Sequence, residues 1–298
     1  MTKASGGGDY AAARFSHFAV ADWSGAVGAR QKGIEIAICA EGTVAPVLVR
    51  PGHVWSRQDV LDWIVGDMPQ DTLLGLDLSP ALPFADAGSY FPGWANSPHD
   101  ARALWAFVDD ICRDDPHISV SSFVDHPKAS RYFRRHGGRT GDRFGIGRGR
   151  LRVVEQRQRE QQLSPYSCFN LVGAAQVGKS SLSGMRVLHK LAQRVPVWPF
   201  DSVPDTGSVI VEIYTSLAAR AAGIRSGLSK IRNATALDDA LRRLGSAPHM
   251  PIATYSDHAT DAILTSAWLR TVATDAALWN PPGLEEVAST EGWSFGVR

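Results

Sequence analysis

A few acidic and imidazole side chains in this chain sit where regular structure is expected to begin or end. Asp22 closes the run "FSHFAVAD", Asp77 closes "TLLGLD", and Glu212 falls late in the β-branched run "GSVIVEIYT". His258 and Asp261 open "SDHATDAILTSAWLRTVATDAALW", with Asp257 just before them. Residues three and four apart share a helix face, so Asp257, His258 and Asp261 can project together. Carboxylates gathered in one place repel unless protons or a cation intervene. Oxygen donors favour Mg²⁺ or Mn²⁺, and a histidine tilts the choice toward Mn²⁺. Two such ions about 3.5–4 Å apart activate a water and stabilise the leaving oxygen of an in-line phosphodiester displacement. The expected metal set is Asp22 and Asp77 bridging or flanking the ions, with Asp261 and His258 completing the shell. Plainer roles exist for each. A strand-terminal Asp caps a loop, Asp257 suits the positive end of a helix dipole, His258 can be a satisfied half-buried histidine, and Glu212 can accept backbone hydrogen bonds.

A second candidate lies in "GAAQVGKSS", residues 173–181, whose first eight residues match G-x-x-x-x-G-K-[ST]. That pattern would make Lys179 and Ser180 phosphate contacts, and Ser24 of "DWSG" is a further one. A genuine phosphate loop needs a buried strand before it and a helix after it. The preceding "YSCFNLV" follows Pro165 at once and holds Ser, Cys and Asn, and Gly184 interrupts the helix side. Downstream, "VPVWPFD" contains two prolines and "SVIVE" ends in Glu. The expectation is a glycine-rich turn entering a helix, whose N–H groups can meet a substrate phosphate without ATP chemistry.

These side chains need elements to position them. "FSHFAVAD", "GIEIAICA" and "TVAPVLVR" read as three consecutive strands, the last two joined through Glu41-Gly42 as a hairpin. "SRQDVLDWIVGDM" switches to helical period with Ser56 as N-cap and Asp59 at the third position. The strand "TLLGLD" follows. A helix between two strands implies a crossover, so this fourth strand is expected beside and parallel to the first, bringing Asp22 and Asp77 to one sheet edge. Beyond it come a Pro- and Gly-rich loop and a helix expected to begin at Ser97 with Pro98 in its first position. "SVSSFVD" reads as a strand, "LRVVEQRQREQQL" as a polar helix, and "TALDDALRRLG" as a short helix capped by Thr235.

Net charge is +1, but residues 128–159 hold eleven Lys or Arg against Asp142 and Glu155, and the rest of the chain is acidic. Such segregation fits a polyanion, with Arg134, Arg135, Arg139, Arg143, Arg148 and Arg150 as candidate phosphate contacts. The six glycines of "GGRTGDRFGIGRGR" suggest a segment without a core of its own that orders on binding; a merely solvated basic loop is the alternative. Trp94 and Trp105 could stack bases, although packing is the commoner use. A 44% apolar fraction and no long apolar run describe a globular protein with no membrane partner. Residues 1–14 read as a flexible lead-in without a signal peptide. Cys39, Cys112 and Cys168 lie far apart, which fits reduced thiols and a cytoplasmic location.

Four stretches, "VADWSG", "GLDLSPALP", "VEIYTS" and "DHATDAILTSAWL", together with the tail "TEGWSFGV", resemble an uncharacterised family of predicted ribonuclease H-like nucleases, related by fold to Holliday-junction resolvases. The resemblance implies an α/β fold with a ribonuclease H-like mixed sheet: three antiparallel strands, then parallel strands, flanked by helices. It also implies a single domain over residues 15–298, carrying a large insertion at about 80–205 that includes the basic segment. It further implies a metal-dependent catalytic centre on Asp22, Asp77 and Asp261, with His258 or Glu212 as a further ligand. Tyr214-Thr215 stands where the family places a His-Pro pair after the glutamate. The expected function is divalent-metal-dependent hydrolysis of DNA or RNA, with a homo-oligomer left open. The alternatives are a P-loop or actin-like phosphotransferase using Lys179 and Ser180, and a nucleic-acid-binding protein without catalysis.

Overall fold

A computed structural model describes residues 14–172, 177–224 and 230–298. The expected flexible lead-in, apart from Arg14, and residues 173–176 of the glycine motif lie outside these.

The chain opens with β1 (His17–Asp22), β2 (Glu35–Ala40) and a short β3 (Val47–Leu48). α1 (Arg57–Asp62) starts on the expected capping box of Ser56 and Asp59, and runs into one π-turn before β4 (Thr72–Leu76). Then come α2 (Ala101–Ile111), α3 (Ser121–Asp125), α4 (Val153–Glu160) and α5 (Val177–Lys190). β5 (Val197–Trp198) and β6 (Val209–Glu212) complete the described strands. The chain closes with α6 (Thr215–Ala221), α7 (Ala234–Arg243), α8 (Asp257–Val272), α9 (Ala276–Trp279) and α10 (Leu284–Val287).

The six strands form one mixed sheet in the order β3-β2-β1-β4-β6-β5. The first three are mutually antiparallel, and β1, β4, β6 and β5 run parallel. Side chains alternate across a strand, so the sheet separates two cores. Ala19, Ala21, Leu74, Leu76 and Ile210 join one, with Leu104 and Val108 of α2 and Leu182 and Met185 of α5. Phe18, Val20, Leu73, Val209 and Val211 join the other, with Ala262, Ile263 and Ala267 of α8. Small residues let α8 lie close on β1 and β2, where Ser266 Oγ donates to the Ala37 carbonyl at 3.0 Å. No helix among the described residues is long and apolar enough to cross a membrane. Cys39, Cys112 and Cys168 are free and buried, and burial pushes the Cys39 thiol up to about 11.

Several sequence expectations need correction. The third strand is only two residues long: Arg270 Nη1 donates to the Ala40 and Val44 carbonyls and Ala247 N to Thr43 O, which holds residues 41–44 as a loop. α2 begins after Asp100, whose carboxylate accepts from Ala103 N; Ser97 Oγ serves the loop instead, accepting from Phe91 N. "SVSSFVD" is mostly the helix α3, and Asn233, not Thr235, caps α7. The two-proline stretch supplies the edge strand β5.

The basic segment is not a loop without a core. Phe133 and Phe144 are buried with Phe91, Phe123 and Phe169 in the first core. Several of its arginines are struts. Arg150 donates to the carbonyls of Pro83, Ser89 and Tyr90 and to both oxygens of Asp86. Arg135 meets Asp125 at 2.8 Å, Arg143 donates to Pro92 O, and Arg139 Nε donates to His136 O. Such contacts close loops that contain many glycines, which composition alone cannot reveal. Trp94 and Trp105 are packing residues, and the Trp105 indole N–H donates to Pro80 O.

Candidate functional site

The C-terminal ends of β1, β4 and β6 open into a cleft of about 690 Å³. Pairing of Ala21 with Leu76 makes Asp22 and Asp77 the next residues of adjacent parallel strands, and the Asp77 N–H continues the ladder to Ala21 O at 3.1 Å. Both lie on the α8 side by alternation. The loops behind them are fixed to α5: Trp23 Nε1 donates to Ser183 Oγ at 3.2 Å, and Ser79 N to Ser181 Oγ at 3.2 Å. Gly184 does not break α5. Its missing side chain lets Leu78 press against the helix, where a Cβ would stand 2.3 Å from Leu78 Cδ2.

α8 delivers its first turn to the same cleft. Ser256 Oγ accepts from Ala259 N, and His258 and Asp261 line the cleft with Asp22 and Asp77. His258 Nδ1 lies 3.1 Å from Asp22 Oδ2. This contact, more than burial opposes it, raises the His258 pKa. Burial raises that of Asp22 against the pull of His258. Asp77 is held well above the usual carboxylate range, first by enclosure and then by the negative charges of Asp22, Asp261 and Glu212. Lys230 answers part of this excess. Its amine lies 2.9 Å from Asp261 Oδ2, and Asp261, Asp257 and Asp22 outweigh burial to raise its pKa. Asp257 itself pairs with Arg232.

Glu212 borders the cleft but is already engaged. Leu76 pairs with Glu212, so Asp77 is level with Ile213 and Glu212 faces the other side of the sheet. There Arg152 Nη1 and Nη2 donate to its two oxygens at 2.8 and 2.5 Å, and Ser294 Oγ donates at 2.6 Å. Arg152 also grips Glu155 and the Glu291 carbonyl. The two-residue period places Glu212 with Ile210, a signal already present in the sequence.

Glu35 is a neighbouring acid that the sequence reading passed over; it lines an adjacent pocket and not the cleft itself. It stands opposite Asp22 across the β1–β2 ladder, is half-buried, and its Oε2 has no hydrogen-bond partner. Burial raises its pKa, with His258 opposing and Asp22 adding. A hairpin register counted back from Ala40 would have found it.

Arg134, Arg135, Arg139, Arg143, Arg148 and Arg150 are not on the cleft wall; the basic segment contributes Arg152, Glu155 and Gln158 instead. Arg134 and Arg148 are exposed. Ser24 and Ser180 line the cleft, whereas Lys179 lines a neighbouring recess. No strand precedes the glycine motif among residues 161–172, which removes the strand–loop–helix unit that a phosphate loop requires.

Among the described residues no three His, Cys, Asp or Glu side chains stand together as a ready-made ion cage. No family profile, curated protein or solved structure matches the chain.

Proposed function

We propose that the chain is a divalent-metal-dependent nuclease on a ribonuclease H-like sheet. The observation carrying this reading is geometric: Asp22, Asp77 and Asp261 converge with His258 on one open cleft at the ends of adjacent parallel strands, where burial and then the neighbouring acids raise Asp77. A fold does not retain mutually repelling carboxylates at a cleft floor for stability, and perturbed acids in a cleft mark functional sites. The sheet order, antiparallel strands first and parallel strands after, supports the same reading.

The donor set fits Mg²⁺ or Mn²⁺: Asp22, Asp77 and Asp261 offer hard oxygens, and their charge excess already draws in Lys230. These three residues would hold the metal, which supplies Lewis-acid activation of water and of the phosphoryl oxygens. His258 is oriented by Asp22, whose contact raises its pKa and favours the protonated form that can give a proton to the leaving oxygen. Lys230 adds positive charge where the attacked phosphate must approach. Arg152 fixes Glu212 and keeps it out of the reacting set.

The test is cleavage of labelled single- and double-stranded DNA and RNA with Mg²⁺, Mn²⁺ or EDTA, run beside thermal melts. Metal-dependent cleavage that Asp77→Asn abolishes is expected. Melts insensitive to either ion but shifted by ATP would favour a phosphotransferase, and metal-independent binding without cleavage would leave a nucleic-acid-binding protein.

A further inference from the structure

On the far side of the loop that follows Asp22 lies a smaller recess of about 70 Å³, which shares Gly25 and Ala26 with the acidic cleft. Its walls carry Arg57, Lys179, Ser119 and Ser121, with Asp125 at the edge. Arg57, from the first turn of α1, is only 2% exposed. Its Nη1 donates to His117 O at 3.2 Å, and its Nη2 to the carbonyls of Ser24 and Ala26 at 2.9 and 2.8 Å. Its Nε–H has no acceptor. Burial brings its pKa down to about 10, and the charge acting on it is the like charge of Arg186, so it stays cationic at neutral pH with no counter-ion among the described residues. Arg186 is already matched by Asp109, and Asp125 by Arg135.

A buried guanidinium with an idle donor and no anion is an expensive arrangement that a fold rarely keeps unless a ligand completes it. Lys179 brings a second cation to the same wall, and the two serines bring hydroxyls. The loop and helix are in close contact here: a Cβ on Gly25 would stand 2.4 Å from Ser180 N and 2.7 Å from Lys179 Cβ. A volume of this size admits a phosphoryl group or a few waters, but no sugar or base.

We propose that this recess is a phosphoryl-binding subsite, built on Arg57 and Lys179, that holds one phosphate of the strand whose neighbouring phosphodiester lies in the acidic cleft. The identity of the strand rests on the nuclease reading; the anion site does not. The subsite gives the Gly-Lys-Ser stretch a phosphate role without nucleotide hydrolysis. Charge separation between cleft and recess also sets a direction, with acids where metal-borne chemistry occurs and bare cations where the backbone is anchored.

The test uses the full chain in EDTA, so that cleavage plays no part. Fluorescence anisotropy would follow single-stranded oligonucleotides carrying a 5′-phosphate, a 3′-phosphate or neither, with inorganic phosphate as competitor. Lys179→Ala is expected to weaken binding at least fivefold and to abolish competition by phosphate. Arg57→Lys, which keeps the charge but deletes the guanidinium fork, should act in the same direction in protein that melts normally. A preference among the three probes identifies a terminal phosphate as the occupant, and equal loss for all three identifies an internal one. Unchanged affinity in Lys179→Ala, or phosphate binding that never displaces the oligonucleotide, overturns the proposal. Phosphate-competed binding by a wild-type chain that cleaves no nucleic acid with either Mg²⁺ or Mn²⁺ would retain the subsite and sink the nuclease reading alone.

Discussion

Two charged clusters meet at the C-terminal end of the sheet, and they are built on opposite principles. Around Arg152 each charge has its partner: Glu155 and Glu212 accept from the guanidinium, and Ser294 adds a second donor to Glu212 Oε1. Around Asp77 the signs do not balance; Asp22, Asp77 and Asp261 share one lysine and one histidine. The Arg152 cluster is fully buried, whereas His258, Lys230 and Asp261 are partly open to the cleft, so exposure separates the two in part. Satisfaction separates them further. A fully partnered network rigidifies, whereas on the proposed reading an acid set short of positive charge is where a cation would bind.

That contrast can be broken most forcefully at Arg152. Arg152→Met strands two buried carboxylates and should cost about 3–5 kcal/mol in urea unfolding, while adding Glu155→Gln and Glu212→Gln should recover much of it. Metal tests the other cluster. At an ion concentration near 100 times Kd the wild type should gain about 2.7 kcal/mol, read as a higher Tm; Asp22→Asn and Asp77→Asn should lose this gain. If Asp77→Asn keeps it, the acid set is not the ion site. Arg150→Ala removes a strut and should cost roughly 1–3 kcal/mol without altering nucleic-acid affinity, separating the segment's structural arginines from any that bind.

A pH series in EDTA sharpens the difference further. Asp22, Asp77 and His258 all have raised values in the fold, so the folded state holds protons that the unfolded chain has released. Their stabilising effect is full below the unfolded values, near 4 for Asp and 6.5 for His, and is lost as pH rises through the folded ones. Asp59, Asp109, Asp238 and Asp257 have lowered values and act in the opposite sense. The readout is therefore the difference between wild type and Asp77→Asn, which should change across this range by on the order of 1 kcal/mol. The smallest effect is expected at Glu35→Gln, a gain under about 1 kcal/mol from removing a buried charge beside Asp22.

The architecture around the acids was legible because it follows from local rules. Alternation in "FSHFAVAD", one crossover helix and the Ser256 cap suffice to place Asp22, Asp77 and Asp261 on converging elements. Glu212 was misjudged for want of parity counting, and Glu35 for want of register. The arginines were opaque for a different reason. Whether Arg150 reaches solvent or five oxygens from residues 83–90 depends on loops meeting across 60 or more positions, which no window of sequence contains. Arg57 is the extreme case: a helix residue of ordinary appearance that becomes an unmatched interior cation only when residues 24–26 and 117 close over it.

The Glu212 backbone accepts from Phe295 N, and the Glu291 side chain accepts from Phe84, Ala85 and Val153. The last stretch of the molecule is thus a keystone inserted between pieces made much earlier. Loss of residues 291–295 would release Phe84, Ala85, Val153 and Glu212 from these shared partners at once.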